Sequence, residues 1–186
     1  AHAAACGDIW QSNINIDGTP NGYYVYTMDG ATISNCYYKG ANWDKNKQMS
    51  VFRADTDFNG ESYAADWLLG KGKGTIVANI FNADSKWKVY AVEGGVKTEM
   101  TRLQSTPGQD AFAVGYHKKY AVANKYNFFS KQNGYLKMNH WYSYIPKDAN
   151  AVITIEATDP FGNTYTASSK DAVTEPFFNY AHYYGK

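Results

Sequence analysis

The stretch "TIVANIFNADSKWKVYAVEGG", residues 75–95, contains the clearest strand pattern in the chain. Residues 76–81 alternate between two sets of side chains, as expected for a strand with one face toward a core. After the turn residues "NADS", the side chains of Trp87, Val89 and Ala91 recur at every second position and share a face, and we expect Lys86 and Lys88 to point outward. "EGG" is a hairpin turn into a further strand. The stretch therefore predicts antiparallel strands joined by short turns.

The same pattern continues toward the C-terminal side. Strand-like residues recur at 140–145, 151–158 and 164–168, and the last two segments are separated by "DPFGN", residues 159–163. This turn sequence has a proline that sets φ early and Gly-Asn, which tolerates positive φ later. About a hundred residues of short strands and tight turns are typical of an immunoglobulin-like sandwich. The Cys-Trp-Cys signature is absent, so this prediction depends on strand physics alone.

The N-terminal part predicts a separate hairpin. The segment 13–40 is rich in Tyr, Val, Ile and Thr around Asp29-Gly30, a pair suited to a tight primed turn. A third short strand is expected at 48–53, and two helical turns at 62–69 precede a glycine-rich joint at 70–74. We therefore expect an all-β chain: an N-terminal hairpin or meander over residues 1–74, then a sandwich with an aromatic tail over residues 75–186.

Composition excludes several classes of function. The 18 basic and 17 acidic residues give a net charge of +1, which argues against a basic-patch nucleic-acid binder. Aromatic residues make up 17 % of the chain and favour wide pleated surfaces. No apolar run reaches the roughly 20 residues that a membrane-spanning helix needs. Because the chain lacks an initiator Met and begins directly with strand-like residues, we expect it to be cut from a longer protein.

The residues that carry chemistry are scattered. His2, His117, His140 and His182 form no metal-binding spacing, and surface or hydrogen-bonding positions are the simpler interpretation. Cys6 and Cys36 either pair or are two small buried hydrophobes, and we favour unpaired thiols.

Three further segments have a functional and a plainer interpretation. The acidic residues Asp55, Asp57 and Glu61 suit a glycosidase pair, but a solvated loop is preferred. "GKGKGT", residues 70–75, lacks phosphate-loop spacing. The aromatic tail at 175–184 suits sugar stacking or partner docking, and packing on its own domain is the simpler reading.

Several motifs occur together in one order along nearly the whole chain. They are "AACGDIW" at 4–10, "DGTPNGY" at 17–23, "MDG" and "YYKG" in the first hairpin, "QMSVFR" at 48–53, "VANIFNADSKWKVYAVEGG" at 77–95 and "ATDPFGNTYT" at 157–166. In this combination the chain resembles the C-terminal module of bacterial calcineurin-like metallophosphoesterases, particularly multi-domain exported ones. It departs from the family in three places. The family usually has paired Trp where this chain has Ile9-Trp10 and often an aromatic residue where it has Cys36, and the family's Asn-Val-Trp-Asn-Ala-Asp reads Asn79-Ile-Phe-Asn-Ala-Asp84 here.

The resemblance implies a fragment downstream of an active site. In such proteins an upstream catalytic domain supplies two metals through D-x-H, G-D, G-N-H and G-H-x-H motifs, and none of these motifs occurs here. No catalytic or metal-ligating residue is therefore assigned to this chain, and its binding residues are unknown. Residues 1–74 would include the end of the phosphoesterase domain and a linker. Residues 17–22 are expected to form a turn without a catalytic role.

Three functions follow as hypotheses. The first is a non-catalytic accessory module that packs on and supports the upstream domain of the same polypeptide, whose divalent metal pair lies outside this chain. The second is a glycan- or cell-wall-binding module, based on the supply of Tyr and Trp. The third is an independent enzyme using the acidic residues of 55–61. The resemblance also implies export to the periplasm or cell surface.

Overall fold

A computed structural model describes residues 2–5, 15, 17–41, 43–53, 74–103, 106–107 and 137–170. Within these ranges the chain forms strands and no helix. The strands are β1 (His2–Ala5), β2 (Gly22–Asp29), β3 (Thr32–Gly40), β4 (Met49–Arg53), β5 (Ile76–Ile80), β6 (Lys88–Glu93), β7 (Val96–Glu99), β8 (Thr101–Leu103), β9 (Thr106–Pro107), β10 (Lys137–Met138), β11 (Trp141–Tyr144), β12 (Thr154–Thr158) and β13 (Thr164–Ser168). No helix in the described part is long and apolar enough to span a membrane.

Two four-stranded antiparallel sheets form a β-sandwich. Their strand orders are β4-β5-β11-β8 and β13-β12-β6-β7. Side chains from both sheets form one core, including Ile76 and Ile80 of β5, Val89 of β6 and Ile155 of β12. Alternation along each strand places these apolar residues on the inner faces, where burial removes them from water. The all-β class and the sandwich are confirmed, while the immunoglobulin-like classification stays a prediction.

The central strand β5 is buried on both faces. Its inner-face residues lie in the core, and on its outer face Val77 and Asn79 are fully buried as well. The side-chain amide of Asn79 donates to the backbone oxygen of Asp17 at 2.6 Å. Part of the N-terminal segment therefore covers the outside of the sandwich, where a simple sandwich strand would meet solvent.

The N-terminal hairpin is confirmed, with a small change in its turn. Strands β1, β2 and β3 form a separate antiparallel sheet, and Asp29 pairs with Thr32 across the turn. Gly30, rather than Asp29, has the positive φ, at 58°. The pairing shifts between Thr27 and Met28, so Ser34 is an extra residue in β3. Such a bulge increases the local twist of the hairpin.

The other predicted turns also form. Gly94 and Gly95 join β6 to β7 with φ of 55° and 82°. In the β12–β13 turn the Asp159 carboxylate accepts hydrogen bonds from the backbone N–H groups of Phe161 and Asn163, at 2.8 and 2.9 Å. These bonds explain why an Asp-Pro-x-Gly-Asn sequence closes the hairpin.

Strand β4 was expected with the N-terminal region and lies in the sandwich. Val51 pairs with Ala78, so β4 is the edge neighbour of β5. At its end the guanidinium of Arg53 donates to the backbone oxygens of Gly74, Ala149 and Ala151. The division at 74/75 stays a prediction, and the expected helix at 62–69, the joint at 70–73 and the tail at 175–184 lie outside the described residues.

Candidate functional site

One face of the β2–β3 hairpin is apolar along its whole length. Cross-strand partners on this face are Tyr24 with Tyr38, Tyr26 with Cys36 and Met28 with Ile33. Directly opposed side chains of this kind are the unit by which a hairpin face is stabilised. No charged residue occurs among these six positions, so no charge on this face opposes its packing against other apolar side chains.

The base of this face is anchored in a small core. Tyr38 packs with Trp43 and Phe81, the residue that follows β5, and Tyr24 packs against the same cluster. The rings of Trp43 and Phe81 lie edge to face at 5.7 Å, and those of Tyr24 and Tyr38 at 5.4 Å. Burial raises the pKa of Tyr24 to about 12, so its phenol stays neutral. This cluster fixes the hairpin to the sandwich.

Hydrogen bonds reinforce the anchor. The Tyr38 hydroxyl donates to the backbone oxygen of Pro20. The buried Gln48 side chain donates to the backbone oxygens of Tyr38 and Lys45, and its own backbone oxygen accepts from Phe81 N–H at 2.9 Å. Gln48 thus joins the hairpin to both β4 and β5, because satisfied buried amides hold their partners in a single arrangement.

A shallow cleft lies between the hairpin and the β12–β13 turn. Its volume is 240 Å³, and Asn35 and Tyr37 line it on one side, with Asn163 and Thr164 on the other. The Asn163 amide donates across it to Asn35 Oδ1 at 2.7 Å. Ligand pockets usually exceed about 300 Å³. The cleft is therefore the junction between the two elements rather than a site for a drug-sized molecule.

Asp17 and His140 form a polar pair where the N-terminal loop contacts the sandwich. Asp17 lies beside His140, with 3.6 Å between Oδ2 and Nε2, and His140 is only 15 % exposed. Burial lowers the pKa of His140, while the Asp17 carboxylate opposes this effect and Arg102 adds to it. At neutral pH the imidazole is therefore uncharged, and the bond from the Asn79 amide to the Asp17 backbone oxygen, rather than an ion pair, attaches the loop to the sheet.

Asp17 and His140 do not form a nucleophilic relay with the nearby hydroxyl of Ser50. Ser50 is the hydroxyl residue directly opposite Asn79, since the two residues pair across β4 and β5. Its Oγ has no hydrogen-bond partner among the described residues. Nucleophilic catalysis requires a hydroxyl within hydrogen-bond reach of its base. The described contacts thus provide packing and no such relay.

Metal chemistry is also not supported by the described side chains. They contain no group of three or more His, Cys, Asp or Glu residues that could hold a metal ion. The described residues therefore form no two-metal centre, which the phosphoesterase resemblance assigns to an upstream domain.

Most of the candidates named from sequence lie outside the described residues. These are Asp55, Asp57, Glu61, Cys6, His117, His182 and the tail at 175–184, together with the side chain of His2. Cys36 is described and is a free thiol on the apolar face, where burial raises its pKa. Residues 17–22 form the predicted turn, with Thr19 N–H donating to Asp17 Oδ1 at 2.8 Å.

A glycan platform gains no support from the described aromatics. Among the described tyrosines, Tyr23 and Tyr26 are the exposed ones, and they point to opposite faces of β2 because their positions differ by an odd number. Phe161, also exposed, lies in the β12–β13 turn. Separate rings cannot form the flat platform that sugar stacking requires.

A family model identifies the chain more directly. The family described as the C terminal of calcineurin-like phosphoesterase matches residues 1–165, most of the 186-residue chain. The chain belongs to this family. No curated protein and no solved structure is significantly similar to it. The resemblance predicted from the motifs is confirmed, and the matched residues of this C-terminal phosphoesterase module include the hairpin and the sandwich up to the start of β13.

Sequence reasoning missed two features of the module. The contact between Asp17 and His140 joins distant parts of the chain, and no local pattern indicates it. The apolar hairpin face had a usable signal, since Tyr24, Tyr26 and Met28 alternate along β2. The bulge at Ser34 hid the matching residue, Ile33, because it reverses the alternation in β3.

Proposed function

We propose that this chain is the accessory C-terminal module of a metal-dependent phosphoesterase, and that it packs on and supports an upstream catalytic domain of the same polypeptide. The observation that carries the proposal is the family match over residues 1–165, because the family is by description the C-terminal part of calcineurin-like phosphoesterases. Phosphoester hydrolysis itself is assigned to the upstream domain.

The course of β1 supports this arrangement. His2 pairs with Tyr24 and Ala5 with Gly22, in antiparallel sense. Residues preceding β1 would thus continue beside β2 toward the hairpin turn. An upstream domain joined at this point would begin at the edge of the hairpin, toward its turn.

We assign different roles to the upstream domain and to this module. A divalent metal pair in the upstream domain would supply an activated water and stabilise charge at phosphorus. The module contributes a rigid sandwich core and an anchored hairpin that can hold its neighbour in place. A domain of this kind acts on catalysis through the stability and orientation of the domain it contacts.

The test compares three proteins: the full-length parent, the upstream domain alone and this 186-residue chain. Each is assayed for hydrolysis of an aryl phosphate ester with added manganese or zinc. We expect activity in the first two, with a lower rate or melting temperature when the module is missing. Activity in the isolated chain would overturn the proposal, and so would an upstream domain unaffected by loss of the module.

We also propose export of the parent protein to the periplasm or cell surface, supported by the resemblance to exported members of the family. Fractionation of cells that produce the full-length protein tests this location. Recovery in the cytoplasmic fraction alone would contradict it.

A further inference from the structure

The outer half of the hairpin face remains uncovered. Tyr26, Met28 and Ile33 are 41, 55 and 44 % exposed, whereas Tyr38 at the base of the same face is 2 % exposed. Single exposed apolar residues are common on protein surfaces. These three are neighbours across β2 and β3, and they continue a face whose other half is already packed. We call Tyr26, Met28 and Ile33 the apolar stripe.

The stripe continues directly from the anchored base of the hairpin. Its inner neighbours pack on Trp43 and Phe81, and the Tyr26 ring lies 6.0 Å from that of Tyr24. The bond from Asn163 to Asn35 holds β3 from the side of the sandwich. Aromatic residues and Met, presented on a fixed scaffold, are enriched in the cores of protein interfaces. The stripe therefore has the composition and the pre-organisation of an interface anchor.

The small size of the apolar stripe favours a partner in the same polypeptide over a separate protein. A stable interface between separate proteins buries about 800 Å² on each side, more than three half-exposed side chains provide. A partner in the same polypeptide docks at high effective concentration, so a small anchor is sufficient. Because β1 runs antiparallel to β2, with His2 opposite Tyr24, a chain continuing from the start of β1 would run along the edge of β2 toward Tyr26 and Met28.

We infer that the apolar stripe of Tyr26, Met28 and Ile33 is the surface on which the upstream catalytic domain docks. This inference rests on the proposed function and specifies the contact by which the module acts. The catalytic domain would present an apolar patch to the outer half of the hairpin. The buried half, through Tyr38 and Phe81, would transmit that contact to the sandwich core.

The test uses the full-length parent protein. The stripe variant carries Tyr26→Thr, Met28→Thr and Ile33→Thr, since Thr removes apolar surface and retains strand propensity. The control carries Val96→Thr and Ile145→Thr, which are both 56 % exposed and lie at the opposite end of the sandwich, near Glu93. A single Met28→Lys variant tests the stripe with a smaller disturbance. Hydrogen exchange of β5 and β12 within the parent reports whether the module remains folded.

Melting of the catalytic domain and protease cleavage between the domains are measured for each protein. We expect both stripe variants to lose most of the stabilisation that the module gives the catalytic domain, to increase cleavage, and to retain protection of β5 and β12. The control should match the wild type.

If the catalytic domain depends on the module but the stripe variants behave as the control, the docking surface is elsewhere and only this inference fails. If removal of the whole module has no effect, the proposed function fails. Concentration-dependent dimerisation through the stripe would also overturn the inference in favour of a second copy.

Discussion

The side-chain amide of Asn163 donates to Oδ1 of Asn35 at 2.7 Å, joining residues 128 positions apart. The same amide donates to Asp159 Oδ2, also at 2.7 Å. One side chain thus closes the β12–β13 turn and fixes the hairpin to it. The position of the hairpin relative to the sandwich depends on this contact and on the aromatic anchor formed by Tyr38, Trp43 and Phe81.

A double-mutant cycle measures the first of these contacts. Asn35→Ala, Asn163→Ala and the double variant are compared by urea unfolding of this chain. Because the bond joins two neutral amides, we expect a coupling energy of about 0.5–1.5 kcal/mol. Additive losses would show that the contact contributes nothing to stability.

The aromatic anchor should contribute more. Phe81 is 1 % exposed and packs on Trp43, so Phe81→Ala leaves a cavity and is expected to cost about 3–5 kcal/mol. Phe161 is 43 % exposed, and Phe161→Ala should change the unfolding free energy by less than about 0.5 kcal/mol. Similar losses in the two variants would contradict the assignment of Phe81 to a core.

Gly74 is expected to tolerate no side chain. It has a φ of 75°, and an added Cβ would lie 2.6 Å from the backbone oxygen of Ala149, which Arg53 also binds. Gly94 has a φ of 55° with open space around it. Gly94→Ala should cost about 1–2 kcal/mol from backbone strain alone. Gly74→Ala should cost about 1–3 kcal/mol more because of the clash. Equal losses in urea unfolding would argue against the close approach to Ala149.

The stability of the chain should fall below neutral pH through His140. Burial lowers its pKa from 6.5 in the folded state, so the unfolded chain binds the proton more readily. The contribution is complete above pH 6.5 and is lost as the pH falls through that value toward the folded pKa. His140→Gln removes this titration, and its stability should fall less than that of the wild type between about pH 7 and about pH 5. Parallel pH profiles for the two proteins would refute this role, since the other three histidines are common to both.

The strands and turns were largely predictable because their causes are local. Alternation over 164–168 reflects one buried face, and the glycines at 30, 94 and 95 have the positive φ that their turns require. The outer face of β5 was not predictable in the same way. Asn79 is polar, and only its bond to Asp17, far away in sequence, explains why it is buried.

The all-β class, the positions of the hairpin turns and the family could be predicted without a structure, because they depend on side-chain period, turn chemistry and the order of motifs along the chain. Tertiary structure decided that β4 belongs to the sandwich, that Asp17 meets His140, and that the hairpin face is buried at Tyr38 and open at Met28. These features depend on which distant segments pack together. Their free energy comes from contacts that no short stretch of sequence contains.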